Sequence, residues 1–177
     1  YAKGVKGRQT ITDFIFRNIP NRRKNPGKDI FSQLCVLTDD DGNRLSNEEI
    51  RDQVLFVLFA AHDTTTSTLC SLLYAIACNP KWQEELREEI SSLDKDHLEF
   101  DDLALMEKTS WSIKEAIRMY PPLGVMPRFT LTDVEFKGYT IPANSQVMIS
   151  AVFSHYDEEY WSNPRQFDPC RFSPERA

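Results

Sequence analysis

Three places in the chain carry residue types that could do chemistry. The first is His62-Asp63-Thr64-Thr65-Thr66, set inside the apolar run from Leu55 to Ala77. An acid beside an alcohol can hold and pass a proton to a ligand that comes close. Ala60 and Ala61, just before it, are small enough to leave one side of a helix flat for such an approach. The same residues also read as a polar kink. A Thr hydroxyl inside a helix can bond back to the carbonyl four residues earlier and bend the helix there, which would aim Thr64 at Ala60. On this stretch alone the kink, satisfied by neighbouring helices, is the more economical reading.

The second place is Glu115 and Arg118, three residues apart and so on one helix face. On a surface such a pair contributes only about 0–1 kcal/mol. Buried with a second arginine, it becomes a polar knot that is strongly destabilising to break from one side. The third place is the pair of runs "PRFTLTDVEFKGYTIPANSQV" and "WSNPRQFDPCRF". Singly their motifs are turn and strand vocabulary, and only their order is informative.

Other chemistries find less support. Cys35, Cys70, Cys78 and Cys170 form no CxxC, and His62, His97 and His155 are dispersed, so no spacing suggests a zinc site. Cys70 and Cys78 are explained as small core residues of an apolar helix. The formal charge of -6 argues against a nucleic-acid partner, because phosphate binding needs clustered Lys and Arg. One basic run, Arg17–Lys28, contains Pro and Gly and reads as a solvated loop. No signal-like segment is visible. The longest apolar run, Val54–Ala61, falls well short of the ~18–20 residues that span a bilayer.

The elements that must position these residues come mostly at helical period. At 177 residues, 41% hydrophobic and 27% charged, the chain has the composition of a globular protein with one domain's worth of core. Residues 1–46 read as helices and a basic loop, with Asp29 placed to cap "IFSQLCVL". Ser46 followed by Glu49 fits a capping box, so a long helix is expected over 47–78, about 45 Å at 1.5 Å per residue. Its apolar circumference over Val54–Ala61 predicts burial on all sides. Asn79-Pro80 ends it and opens a stretch of helices over 79–122, the first striped by Trp82, Leu86 and Ile90 and the last ending at Pro121-Pro122. Alternation then predicts a small β region over 123–153, with strands in "RFTLT", in "VEFKGYTI" around a Lys137-Gly138 turn, and in "SQVMISAVF". The segment 154–177 looks irregular. The fold class is mainly α with a small antiparallel sheet.

Taken in order, these motifs resemble the second half of a cytochrome P450, a haem-thiolate monooxygenase. "AAHDTT" (Ala60–Thr65) is similar to the oxygen-binding motif of the family's long central helix, and "EAIR" (Glu115–Arg118) to its E-x-x-R. "RFTLTD", "GYTIP", "NP" and "FDPCRF" follow in the family's order. The resemblance runs from about Asp29 to Ala177 and implies one incomplete domain over 1–177.

It further implies a haem b cofactor whose iron ligand lies outside this chain. Asp63 and Thr64 would be the acid–alcohol pair that delivers protons to dioxygen at the haem, with Ala60 and Ala61 letting the helix pass close over the porphyrin. Arg128 would pair with a haem propionate. Glu115, Arg118 and Arg171 would form a buried structural triad, and Phe56, Phe59, Leu123, Val125 and Met126 would line a pocket for a small apolar organic substrate. Electrons would come from a partner, a ferredoxin or a flavoprotein reductase.

The chain departs from the family pattern at three points. Ala61 stands where the oxygen motif usually has glycine, which narrows the groove by a methyl group. Cys170 stands where the P-E-R-F run has glutamate. None of the four cysteines has the Phe-x-x-Gly-x-Arg-x-Cys-x-Gly context of the iron-ligating thiolate, so the chain reads as a piece of something larger, inactive alone. Two other readings are a relative of the same fold that uses peroxide or isomerises its substrate, and a haem-free helical interaction domain. The Asp63-Thr64 pair argues against the first, since such enzymes need no relay of protons to dioxygen. Asp63, Thr64 and Arg128 would have no common task in the second.

Overall fold

Capping residues set the starts of the first helices. The computed structural model describes residues 2–176. Helix α1 (Ala2–Lys24) is followed by α2 (Ile30–Val36), whose N-cap Asp29 accepts the Ser32 N–H at 3.1 Å. Helix α3 (Asn47–Ala77) begins where the capping box places it: the Glu49 carboxylate accepts the Ser46 N–H at 2.7 Å, and the Ser46 hydroxyl accepts the Glu49 N–H at 3.2 Å. The box also holds the Glu49 carboxyl below its usual range, the Ser46 N–H being the main cause.

Contacts divide the chain into two units, one running to His62 and the other starting at Asp63. In the first, Ile15 and Ile19 of α1, Phe31 and Cys35 of α2, and Ile50 of α3 form the buried core, with Val54 and Leu55 packed against it.

Two sequence expectations fail in this unit. The basic run from Arg17 is helical as far as Lys24, with Pro20 inside the helix. Proline costs the helix one hydrogen bond. The burial of Ile15 and Ile19 opposes that cost, and Arg22, Arg23 and Lys24 sit in the last turn, where cations suit the helix dipole. The real break comes at Asn25–Lys28. Nor is α3 buried all round: Phe56 is 65% exposed and Phe59 74%, with Leu58 also exposed. Its Ile50–Val54–Leu55 side meets the α1–α2 core.

In the second unit, Asn79-Pro80 leads into α4 (Pro80–Ser92), with proline in its first turn. Leu86 is buried and Trp82 half-buried, whereas Ile90 stays exposed. A 3-10 turn (Phe100–Leu105) precedes α5 (Glu107–Met119), the helix of the E-x-x-R pair. Strand β1 (Val125–Phe129) pairs antiparallel with β4 (Gln146–Ser150), Arg128 opposite Val147. Strands β2 (Val134–Phe136) and β3 (Tyr139–Ile141) form a hairpin. Its Lys137-Gly138 turn has positive φ at both residues, as tight hairpins require.

The β region thus differs from its sequence expectation in two ways. The first strand starts at Val125 and stops at Phe129, so Thr130–Thr132 lies outside it. "AVF" after Ser150 belongs to α6 (Ala151–His155), because the Ser150 hydroxyl accepts the Phe153 N–H at 3.2 Å and starts a helix. A second 3-10 turn (Pro169–Phe172) carries Arg171.

Candidate functional site

Helix α5 is held at its start by a side chain from another helix. The Glu89 carboxylate of α4 accepts the Lys108 N–H at 2.5 Å, the Thr109 N–H at 2.9 Å and the Thr109 hydroxyl at 2.7 Å. These are helix-start donors with no partner inside the helix, and the negative charge faces the positive end of the dipole. Beside it, the Lys108 ammonium pairs with Glu85 of α4 at 2.5 Å, and Trp82 donates its indole N–H to the Ser112 hydroxyl at 2.7 Å.

So anchored, α5 presents Glu115 and Arg118 inward, and the structure brings both together with Arg171. The Glu115 side chain is fully buried, Arg118 is 2% exposed and Arg171 9%. Arg118 Nε donates to Glu115 Oε2 at 2.7 Å and Nη2 to Oε1 at 2.9 Å. Arg171 Nε reaches Oε1 at 3.3 Å, and the Asp168 backbone N–H reaches it at 3.0 Å.

One carboxylate against two guanidiniums leaves an excess positive charge in a buried place, and carbonyl oxygens answer it. Arg118 donates to the carbonyls of His155 at 2.7 Å and Pro164 at 2.8 Å. Arg171 donates to the carbonyls of Ser162, of Asn163 at 2.8 Å and of Gln166 at 3.5 Å. The Trp161 ring lies 5.1 Å from the Arg118 guanidinium, within cation–π reach. The segment from His155 to Asp168 is therefore wrapped around two cations, which gives this irregular stretch a fixed course.

The remaining sequence candidates stand apart from this knot. Arg128 is exposed on β1, and among the described residues its one side-chain hydrogen bond is from Nη1 to the Pro127 carbonyl at 2.8 Å. Leu123 and Val125 are exposed and Met126 is half-buried. On α3, Ala60 and Thr64 are half-buried, and Ala61 and Asp63 are exposed. Asp63 therefore faces solvent instead of lying in an enclosed helix interior, for the same reason that Phe59 does.

The cysteines divide by environment. Cys35 is sealed in the core of the first unit, where burial pushes its thiol up, the wrong direction for a thiolate metal ligand. Cys70 and Cys78 are exposed instead of buried, and Cys170 is half-buried. Among the described residues, no three His, Cys, Asp or Glu side chains converge as a metal site would need.

Sequence reasoning missed Glu89, His155, Trp161 and the carbonyl acceptors of the 162–166 segment. A carbonyl has no residue-type signature. The imbalance of one acid against two arginines was the available signal that neutral acceptors had to exist.

Comparison with known proteins bears on the whole chain. The family model described as Cytochrome P450 matches residues 3–177. Human cytochrome P450 4F11 is 36% identical over 172 residues, covering 94% of this chain and 32% of that protein. The mouse protein named leukotriene-B4 omega-hydroxylase 3 is 34% identical over 172 residues, covering 94% and 32%. Among solved structures, the retinoic acid-bound cyanobacterial CYP120A1 superposes with a TM-score of 0.89 at 29% identity, covering 98% of this chain and 41% of that one. The chain spans about a third of the length of the curated relatives it matches.

Proposed function

The chain belongs to the cytochrome P450 family, and from that premise we propose that it is the part of a haem-thiolate monooxygenase that supplies the proton-delivering helix and the knot behind the haem-binding region. The whole protein would oxidise an apolar organic substrate, drawing electrons from a ferredoxin or a flavoprotein reductase. The observation that carries this reading is the buried Glu115–Arg118–Arg171 knot, which joins residues 56 positions apart in the order and pairing the family resemblance requires.

The residues present suit haem b. Ala60 and Ala61 put only methyl groups on α3 where a flat ring must pass, and the exposed Arg128 guanidinium has donors left over for a propionate. Burial makes Cys35 the wrong kind of thiol, and Cys70, Cys78 and Cys170 lack the sequence context of the family's ligating thiolate, so the iron's thiolate would come from another part of the protein. Bound haem with a thiolate ligand supplies the electron push for O–O cleavage.

What this chain adds is proton handling and shape. The half-buried Thr64 hydroxyl would hold a proton or a water at the oxygen site, and Asp63 would refill it. Its exposed carboxylate suits the end of a relay that must collect protons from bulk water. Phe56 and Phe59 are large apolar side chains left uncovered, and they would form one wall of the substrate pocket. By the family resemblance, Leu123, Val125 and Met126 would also meet the substrate. A long apolar carboxylic acid is the proposed substrate class, since the mouse relative is named for leukotriene B4 and the cyanobacterial structure holds retinoic acid.

The test uses the full-length protein. Reduced and exposed to carbon monoxide, it should show the absorption shift of thiolate-ligated iron. The Thr64→Ala variant should keep that shift and form less product per electron consumed. Unchanged coupling would remove Thr64 from the relay, and absence of the shift in the parent would end the monooxygenase reading.

A further inference from the structure

The knot has a fourth side chain in its frame. His155 ends α6, and its contact with Arg118 is reciprocal: the Arg118 guanidinium donates to the His155 carbonyl at 2.7 Å, while His155 Nδ1 lies 3.0 Å from the Arg118 carbonyl. A carbonyl oxygen only accepts, so Nδ1 must carry a hydrogen. In the neutral ring this leaves Nε2 as the bare nitrogen. Carbonyls in the last turn of a helix have no partner within it. Here His155 serves that of Arg118, and the Tyr156 hydroxyl serves that of Met119 at 2.8 Å. The imidazole is fixed on its other side by Trp161, edge to face at 6.2 Å, and Trp161 in turn lies against the Arg118 guanidinium.

We propose that His155 is a positioning residue: by donating Nδ1–H to the end of α5 while its own carbonyl receives Arg118, it sets the angle at which the guanidinium meets Glu115 and the 162–168 segment. Backbone and side chain of Arg118 are then held from one residue. Without the ring, a carbonyl at the end of α5 loses its partner and Arg118 can turn with the helix end. The 157–168 segment, which follows Arg118 through Pro164, loosens with it. That this matters for cofactor retention rests on the monooxygenase reading above; the contact itself does not.

Side-chain amides separate this role from mere packing, because Asn places its N–H₂ where Nδ1 stands and Gln where Nε2 stands. In the full-length protein, His155→Asn, His155→Gln and His155→Ala are compared by hydrogen–deuterium exchange over residues 157–168 and by haem bound per chain. His155→Ala and His155→Gln should exchange about tenfold faster than the parent, the factor expected for loss of one part-buried hydrogen bond of about 1.4 kcal/mol, and should retain less haem. His155→Asn should behave like the parent. Nitrogen-15 spectra of the parent should show His155 with its proton on Nδ1.

The proposal is overturned if Asn is as poor as Ala, if Gln rescues as well as Asn, if Ala matches the parent, or if the proton sits on Nε2. Should the parent itself bind no haem while the exchange pattern holds, the monooxygenase reading fails and the role of His155 stands.

Discussion

Glu115 and Arg118 meet as a two-pronged pair, Nε on one carboxylate oxygen at 2.7 Å and Nη2 on the other at 2.9 Å, with neither side chain reaching solvent. A pair so placed gains little from simply existing, because both ions were costly to dehydrate. It loses much when one member goes, because the other remains buried without a counter-charge. Glu115→Ala strands two guanidiniums and should lower the stability of the full-length protein by about 3–5 kcal/mol in urea unfolding. Arg118→Lys should also be poorly tolerated, since an ammonium cannot engage both oxygens in one plane. A loss of under about 1 kcal/mol for Glu115→Ala would show a solvent-screened pair and remove the knot from the argument.

The start of the same helix gives a second prediction. Met106, at the N-cap of α5, offers no side-chain bond, so Glu89 does the capping from α4. Glu89→Ala should cost ~0.5–2 kcal/mol, the range for losing a capping side chain. Glu89→Gln should recover part of that, having one acceptor oxygen and no charge. Thermal unfolding of the three proteins checks the order parent, Gln, Ala. Equal midpoints would mean that water caps α5 just as well.

Acid should act on the first unit through Asp29. Arg22 Nη1 lies 2.7 Å from both carboxylate oxygens, and the Ser32 N–H and hydroxyl add 3.1 and 2.9 Å contacts. Chiefly through Arg22, the carboxyl is held at about 2, down from its ordinary 3.8. A carboxyl whose folded value is depressed stabilises the fold at every pH above its ordinary value. That contribution drains away as pH falls from about 4 towards 2. Arg22→Met should therefore lower the stability of this unit most at neutral pH, with the difference from the parent shrinking as pH falls from about 4 towards 2, as followed by urea unfolding and circular dichroism at several pH values. A difference that stays the same across that range would show that the contact carries no linkage.

Much of this architecture is legible in local chemistry. Ser46 with Glu49 announces the start of α3, Asp29 that of α2, and Lys137-Gly138 the hairpin, because each depends on neighbours in sequence. What escapes depends on distant partners. Pro20 with the basic run after it looks like a loop until Ile15 and Ile19 are seen packed in a core. "AVF" alternates like a strand, yet the Ser150 hydroxyl turns it into a helix. Residue types named Glu115, Arg118 and Arg171, but nothing in their types says that backbone carbonyls from Ser162 to Gln166 would surround the arginines. Asp63 was expected inside a covered rod. It lies exposed because that expectation took apolar composition for burial, and composition does not say which part of the protein provides the cover.

That last point is testable on the 177-residue polypeptide itself. Phe56, Leu58 and Phe59 are each more than half exposed, as are Leu69, Leu73 and Tyr74 further along α3. Large apolar side chains left uncovered in this number drive self-association unless something covers them. The isolated polypeptide should therefore bind a hydrophobic dye, associate as its concentration rises, and melt without a sharp transition. Because Phe59 contributes little to any core, Phe59→Ser should leave the helical circular dichroism of the polypeptide unchanged while clearly reducing dye binding and association. A monomeric polypeptide with a sharp melt and no dye binding would show that these side chains find cover within the chain, and the pocket wall assigned to Phe56 and Phe59 would have to be given up.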